Sequence, residues 1–134
     1  MTLALVTGSS GFVGSAVVRE LLSDGFAVRA LIRPTSPLTN LAGLDVELAT
    51  GDLLDEDSLR TALRGCEFVF HVAAYYGTRE EDATMMYDVN VRGTKCILNL
   101  ALQEGVKKVV HTSTIGTIAI TSHTAMETSP QLPV

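Results

Sequence analysis

The feature that most constrains the fold lies near the start of the chain. The apolar run Leu3-Ala4-Leu5-Val6 passes directly into TGSSGFVG, residues 7–14, with glycines at 8, 11 and 14. A turn without Cβ atoms lets backbone N–H groups approach a bound anion, and a helix starting there points the positive end of its dipole at it. Three spaced glycines are also compatible with an ordinary strand-to-helix turn. The rest of the sequence has to decide between the two.

Periodicity supplies the context. Residues 3–6 read as a buried strand. Residues 12–22 read as a helix with Val13, Val17, Val18, Leu21 and Leu22 on one face, ended by Asp24-Gly25. A second strand spans 27–32 and stops at Pro34, and residues 34–40 form a Pro-, Thr- and Ser-rich loop. A third strand covers 46–49. Asp57 or Ser58 is expected to cap a short helix carrying Leu59, Ala62 and Leu63, which Gly65 closes. Residues 68–72 form a fourth strand. A long helix is expected from about 83 to 104, with Met85, Val89, Ile97 and Leu100 at helical spacing and Gly105 beyond its end. Residues 108–113 make a fifth strand, and 118–134 read as a loop or poorly ordered tail. Strands and helices alternate and the strands are almost continuously apolar, the pattern of an α/β parallel sheet covered by helices on both faces.

In this setting the glycine stretch follows a strand and opens a helix, inside a strand–helix–strand unit of roughly 30 residues. Although its spacing is Gly-x-x-Gly-x-x-Gly, it is read as a floor for a dinucleotide's pyrophosphate. In the NAD version of such a unit, an acid about 20 positions on binds the ribose 2′-hydroxyl. Here that stretch is VRALIRPTS, residues 28–36, with Ile32 and Arg33 and no carboxylate. An arginine can pair with a 2′-phosphate and stack on adenine, and Thr35 and Ser36 add hydroxyls. NADP is therefore favoured over NAD, against the plainer reading of Arg33 as a solvated strand end. Asp52, in GDL at 51–53, is read either as an acceptor for the adenine amino group or as a turn cap.

Composition narrows the classes. With 134 residues, 46% of them hydrophobic, the chain can bury one core but not two. A net charge of −5, with Lys107-Lys108 the only adjacent basic pair, argues against nucleic acid. Cys66 and Cys96 form no CxxC pair, so neither a disulfide framework nor a zinc site is expected, and a reducing cytoplasm is the default location. MTLALVTG has no cationic leader, and no run approaches the ~18 apolar residues that span a bilayer. His71 and His111 fall in strands at spacings that suit no metal, and His123 falls in a loop. No metal is expected, and Met85-Met86 read as packing.

The motifs TGSSGFVG, VRALIRPTS, GDLLDEDSL, GCEFVFHVAA, NVRGT and VVHTST, in this order, resemble the extended short-chain dehydrogenase/reductase superfamily. Within it they are most similar to the NAD-dependent epimerase/dehydratase family, in its dihydroflavonol-reductase-like and hopanoid-associated sugar epimerase branch. The likeness runs from residue 3 to about 117. It implies a Rossmann-type doubly wound parallel sheet of about five strands in the order 3-2-1-4-5, forming a single NAD(P)-binding domain over 1–134. Gly8, Ser10, Gly11, Phe12, Val13 and Gly14 would hold the pyrophosphate, and Arg33 the 2′-phosphate. Asp52 and Leu53 would flank adenine, and Val72, Ala73 and Ala74 would pass beneath the adenosine ribose. Asn90, in NVRGT, matches a residue on the central helix near the active site.

The family's chemistry uses a Ser or Thr hydroxyl with a Tyr-x-x-x-Lys pair, the tyrosine acting as general acid/base. The resemblance places the hydroxyl on Thr114, with Ser113 as the fallback. The tyrosine–lysine pair is not in the chain: Tyr75 is followed four residues later by Arg79, Tyr76 by Glu80 and Tyr87 by Val91. The expectation is a dinucleotide-binding N-terminal part of a reductase or nucleotide-sugar epimerase/dehydratase, inactive alone. It would lack the remaining strands and the substrate domain, and the substrate itself is not legible. The alternatives are a non-catalytic NAD(P)-binding sensor or regulatory module, or a gene fragment without independent function. An uncovered long helix and fifth strand would invite self-association, and the loop 74–82 could bring Tyr75 or Tyr76 to a substrate.

Overall fold

The computed structural model describes residues 1–118 and 124–131, so His123 lies outside the described residues. Five strands, β1 (Leu3–Thr7), β2 (Ala27–Ile32), β3 (Glu47–Thr50), β4 (Phe68–His71) and β5 (Lys108–His111), form one sheet. Its order is β3-β2-β1-β4-β5, and every pairing is parallel. This is the Rossmann-like topology expected. Leaving β1, the chain first builds outward through β2 to β3, then crosses back to lay β4 and β5 on the other side.

Alternation along β1 divides the core in two. Ala4 and Val6 pack with Val18 and Leu21 of α1 (Phe12–Ser23), while Leu5 packs with Leu59 and Leu63 of α2 (Glu56–Leu63) and Ile97 and Leu100 of α4 (Thr94–Gln103). Helices therefore cover both faces. Leu5, Leu59, Leu63 and Ile97 are fully buried, each worth about 1.5–3 kcal/mol of apolar transfer. The edge strands β3 and β5 are largely exposed, unlike the almost wholly buried β1.

Several boundaries differ from the sequence reading. The cap of α2 is Asp55, whose side chain accepts from the Ser58 N–H, rather than Asp57 or Ser58. A run of acids at 55–57 offers several candidate caps; backbone geometry selects the one held extended. The helix expected over 83–104 is helical throughout but not a single α-helix. It consists of α3 (Ala83–Tyr87), a π-helical turn (Asp88–Gly93) and α4. A π turn inserts one residue and rotates what precedes it by about 100°. Met85 is consequently exposed, although it shares a simple helical spacing with the buried Ile97 and Leu100. β5 ends at His111, and the Thr112 N–H still donates to the His71 carbonyl at 3.0 Å before Ser113 and Thr114 leave the sheet. Ile118 and Gln131 form an isolated antiparallel bridge within the stretch read as a tail.

Candidate functional site

A cavity of about 420 Å³ opens at the C-terminal ends of β1, β2, β3 and β4. It lies where the strand order reverses between β1 and β4, the place where open parallel sheets take ligands. Its walls are the segments that follow these strands: Gly8 to Gly14 in part, Ile32, Arg33 and Ser36, Gly51 to Leu53, and Val72 to Tyr75. Gly8, Ser10, Gly11, Phe12, Val13, Gly14, Arg33, Asp52, Leu53, Val72, Ala73 and Ala74 all line this one space. Thr7, Leu31, Gly51 and Val89 line it as well and were missed. Leu31 and Val89 read as core because they are apolar residues on a strand and a helix, while Thr7 and Gly51 stand at the edges of the TGSSGFVG and GDL stretches.

The floor is built by close backbone approach. Gly8 has φ +67°, and a Cβ there would sit 2.8 Å from the Ala73 nitrogen. A Cβ on Gly14 would meet the Gly8 carbonyl oxygen at 2.0 Å. The Gly11 N–H donates to the Gly8 carbonyl at 3.0 Å and closes the turn. Gly11 then caps α1 without a side chain, and no acid stands in the first turn. The first intrahelical bond is from the Ser15 N–H to the Gly11 carbonyl, so the N–H groups of Phe12, Val13 and Gly14 have no carbonyl within the helix. This is a cradle with backbone donors and an uncompensated dipole, suited to a pyrophosphate. Val13, expected on the buried helix face, is instead 53% exposed at the rim, and Phe12 is 91% exposed. At the mouth of a helix that faces a cavity, the first-turn side chains point past the core.

Loop 34–41 is tied to this floor. Asn40 Nδ2 donates to the Ser10 carbonyl at 2.9 Å, and Arg19 donates to the carbonyls of Ser15 and Asn40. Arg33 opens a closed turn in which its N–H donates to Ser36 Oγ at 3.0 Å and its carbonyl accepts from the Ser36 N–H. Among the lining residues the one carboxylate is Asp52. Its Oδ1 accepts from the Leu54 N–H at 2.9 Å, so Asp52 holds its own turn and also borders the cavity.

The opposite end is held by side chains. Asn90 Oδ1 accepts from the Tyr75 N–H at 2.7 Å, and its Nδ2 donates to the Tyr75 carbonyl at 2.8 Å. The Tyr75 hydroxyl donates to the buried Asp82, which also accepts from the Arg79 N–H. The bond to Asp82 pushes the Tyr75 phenol above its ordinary pKa, the opposite of what a general base requires. Tyr75 lines the cavity, while Tyr76 is 85% exposed. Ser113 and Thr114 are exposed beyond β5 and do not line the cavity. Thr114 Oγ1 accepts from the Gly116 N–H at 3.2 Å. Among the described residues there is no cluster of three or more potential metal ligands, and no helix is long and apolar enough to cross a membrane.

Comparison with known proteins places this geometry. Residues 4–133 match the model of the NAD dependent epimerase/dehydratase family. Over 116 residues the chain is 47% identical to sterol demethylase protein B of Methylococcus capsulatus, covering 87% of this chain and 35% of that protein. It is 43% identical over 115 residues to a putative dihydroflavonol 4-reductase of Synechocystis, covering 86% of this chain and 33% of the relative. A short-chain dehydrogenase/reductase superfamily protein from Agrobacterium tumefaciens, solved with bound NAD, superposes with a TM-score of 0.84 at 32% identity, over 98% of this chain and 39% of that one. The chain thus spans about a third of the length of the curated relatives it matches. With a glycine cradle at the switch point of a 3-2-1-4-5 sheet, and a family match over nearly its whole length, this chain belongs to the NAD-dependent epimerase/dehydratase family of the short-chain dehydrogenase/reductases.

Proposed function

We propose that the chain is the dinucleotide-binding part of an NADP-preferring reductase or nucleotide-sugar epimerase/dehydratase, a protein that moves a hydride between a nicotinamide and a carbonyl or secondary alcohol. The observation that carries the NADP preference is the Arg33–Ser36 turn at the cavity wall, where no carboxylate stands to receive a ribose 2′-hydroxyl. A guanidinium and a hydroxyl there suit a 2′-phosphate. The likeness to a putative dihydroflavonol 4-reductase supports the reductase arm. The NAD in the Agrobacterium relative makes NAD the alternative cofactor.

In this reading the α1 N–H groups and the Gly8–Gly14 turn hold the pyrophosphate, Asp52 and Leu53 flank the adenine, and Val72 to Ala74 carry the adenosine ribose. The nicotinamide ring, when bound, supplies the hydride chemistry. Thr114, or Ser113 in its place, orients the substrate oxygen: its hydroxyl accepts from the Gly116 N–H and keeps its own hydrogen for an acceptor. The protein is assigned to a reducing cytoplasm, with Cys66 and Cys96 as free thiols. The exposed edge of β5 and the exposed Leu98 and Leu102 on α4 favour self-association, which sedimentation would show as a concentration-dependent mass.

Fluorescence titration of the chain with NADPH and NADH tests the cofactor reading. Tighter binding of NADPH is expected. Tighter binding of NADH overturns the role of Arg33, and binding of neither removes the cofactor assignment altogether.

A further inference from the structure

Beneath the glycine turn lies a buried polar group that the cofactor reading leaves without a task. His71, the last residue of β4, is fully buried. Its Nδ1 lies 2.7 Å from Thr7 Oγ1 and its Nε2 lies 3.0 Å from Thr94 Oγ1. The ring thus joins β1, β4 and α4. The His111 ring of β5 stacks on it with centroids 5.2 Å apart and planes 18° apart.

Counting hydrogens assigns the protonation state. Thr7 Oγ1 accepts from two backbone donors, the Val72 N–H at 3.2 Å and the Ala73 N–H at 3.1 Å. A hydroxyl has two lone pairs and one hydrogen. With both lone pairs taken, its hydrogen has to go to His71, so Nδ1 is an acceptor and carries no proton. Nε2 then carries the ring hydrogen and donates to Thr94. A second proton, on Nδ1, would point at an oxygen with no lone pair left.

The consequence reaches the cavity. Ala73 is the residue whose backbone nitrogen passes 2.8 Å from where a Gly8 Cβ would be, and Thr7 immediately precedes Gly8. Thr7 can hold Val72 and Ala73 against the glycine turn only while His71 takes the hydroxyl hydrogen. We propose that His71, as the neutral Nε2–H tautomer, is a positioning residue that locks the Thr7 hydroxyl as a double acceptor and so fixes the Val72–Ala73 segment under the dinucleotide floor. The proposal rests on the dinucleotide-binding reading for its effect on ligand, but not for its effect on the turn.

The pH behaviour follows from the groups that face the ring. Thr7 from β1 and Thr94 from α4 do not titrate, and His111 from β5 is the titratable neighbour. Burial, aided by His111, lowers the His71 pKa to about 4, so the lock holds through neutral pH and opens only in acid.

Nitrogen NMR on the labelled chain reads the tautomer directly. An unprotonated Nδ1 and a protonated Nε2 for His71 at neutral pH are expected, and a proton on Nδ1 overturns the proposal. Amide exchange and NADPH titration of His71→Phe, Thr7→Val and the double variant test the route of action. Each single variant should speed exchange at Val72 and Ala73 and weaken NADPH binding by roughly tenfold or more, with Thr7→Val, which removes both backbone acceptor bonds, the larger of the two. The double variant should be no worse than Thr7→Val alone, because His71 acts through Thr7. Thr7→Ser, which keeps the hydroxyl, should restore both readouts. Additive effects of the two substitutions, or unchanged exchange at Ala73 in a folded His71→Phe chain, overturn the proposal. If the unaltered chain binds neither NADPH nor NADH while the tautomer and exchange results hold, it is the dinucleotide reading that fails.

Discussion

The two ends of the cavity are built by different means. At the glycine end the geometry is a property of the backbone: Gly8 at positive φ, Gly14 against the Gly8 carbonyl, and a helix that begins without a side-chain cap. At the far end the geometry is held by side chains reaching across the fold. Asn90, from a π-helical turn, brackets the backbone of Tyr75, and Asp82 gathers the Tyr75 hydroxyl and the Arg79 N–H. The first kind of construction tolerates no added atom. The second tolerates added atoms but not lost partners. Substitutions that add a methyl should therefore be worst at one end, and truncations worst at the other.

The largest expected effect is at Gly14. A methyl there would stand 2.0 Å from the Gly8 carbonyl oxygen, so Gly14→Ala should cost about 3 kcal/mol or more and abolish dinucleotide binding in the fluorescence titration. Gly11→Ala, whose Cβ would lie 3.3 Å from the same oxygen, should be clearly milder. Equal effects of the two would show that the turn can yield, and the contrast between the two ends would fail.

Acidification comes next. His71 is held neutral with a pKa of about 4 against an ordinary 6.5, so the unfolded chain binds the extra proton first. Stability is then fully present above about pH 6.5 and is lost as the pH falls toward 4, by roughly 3 kcal/mol across the window. Urea unfolding at several pH values measures this slope, and His71→Phe should flatten it.

At the far end, Asn90→Ala removes two bonds to the Tyr75 backbone and should cost about 1–3 kcal/mol. Exchange of the Tyr75 amide should quicken while the glycine turn is undisturbed. A matching loss of protection at Gly11 would mean that the two ends are one cooperative unit. The smallest effect is expected far from the cavity. Asp55→Ala should cost about 1 kcal/mol as a lost helix cap, and Asp57→Ala less, measured by the shift in thermal midpoint.

The same contrast explains what could be read in advance. The floor was legible because its determinants are local. A strand, three glycines and a helix lie between Leu3 and Ser23, and the parallel order of the strands brings the segments after β2, β3 and β4 to the same edge. The walls at Arg33, Asp52 and Val72 to Ala74 came with them. At the far end the sequence singles out Asn90 and Tyr75 but not their pairing. Asn90 and Tyr75 are fifteen residues apart and meet across the fold, Asn90 standing on the π turn of the central helix. No simple apolar period reports such a turn. Simple spacing puts Met85 on the buried face for that reason, and it puts Val13 there because spacing does not register that a helix mouth facing a cavity exposes its first turn.

The sequence by itself determined the alternation of strands and helices, the glycine turn and the positions that could border a dinucleotide, since each follows from spacing within one element or between neighbours. Tertiary structure alone decided that Asn90 holds Tyr75, that Asp55 is the residue capping α2, and that His71 is a neutral acceptor. These depend on which donors and acceptors from separate elements come within about 3 Å of one another, and a one-dimensional pattern carries no such distances.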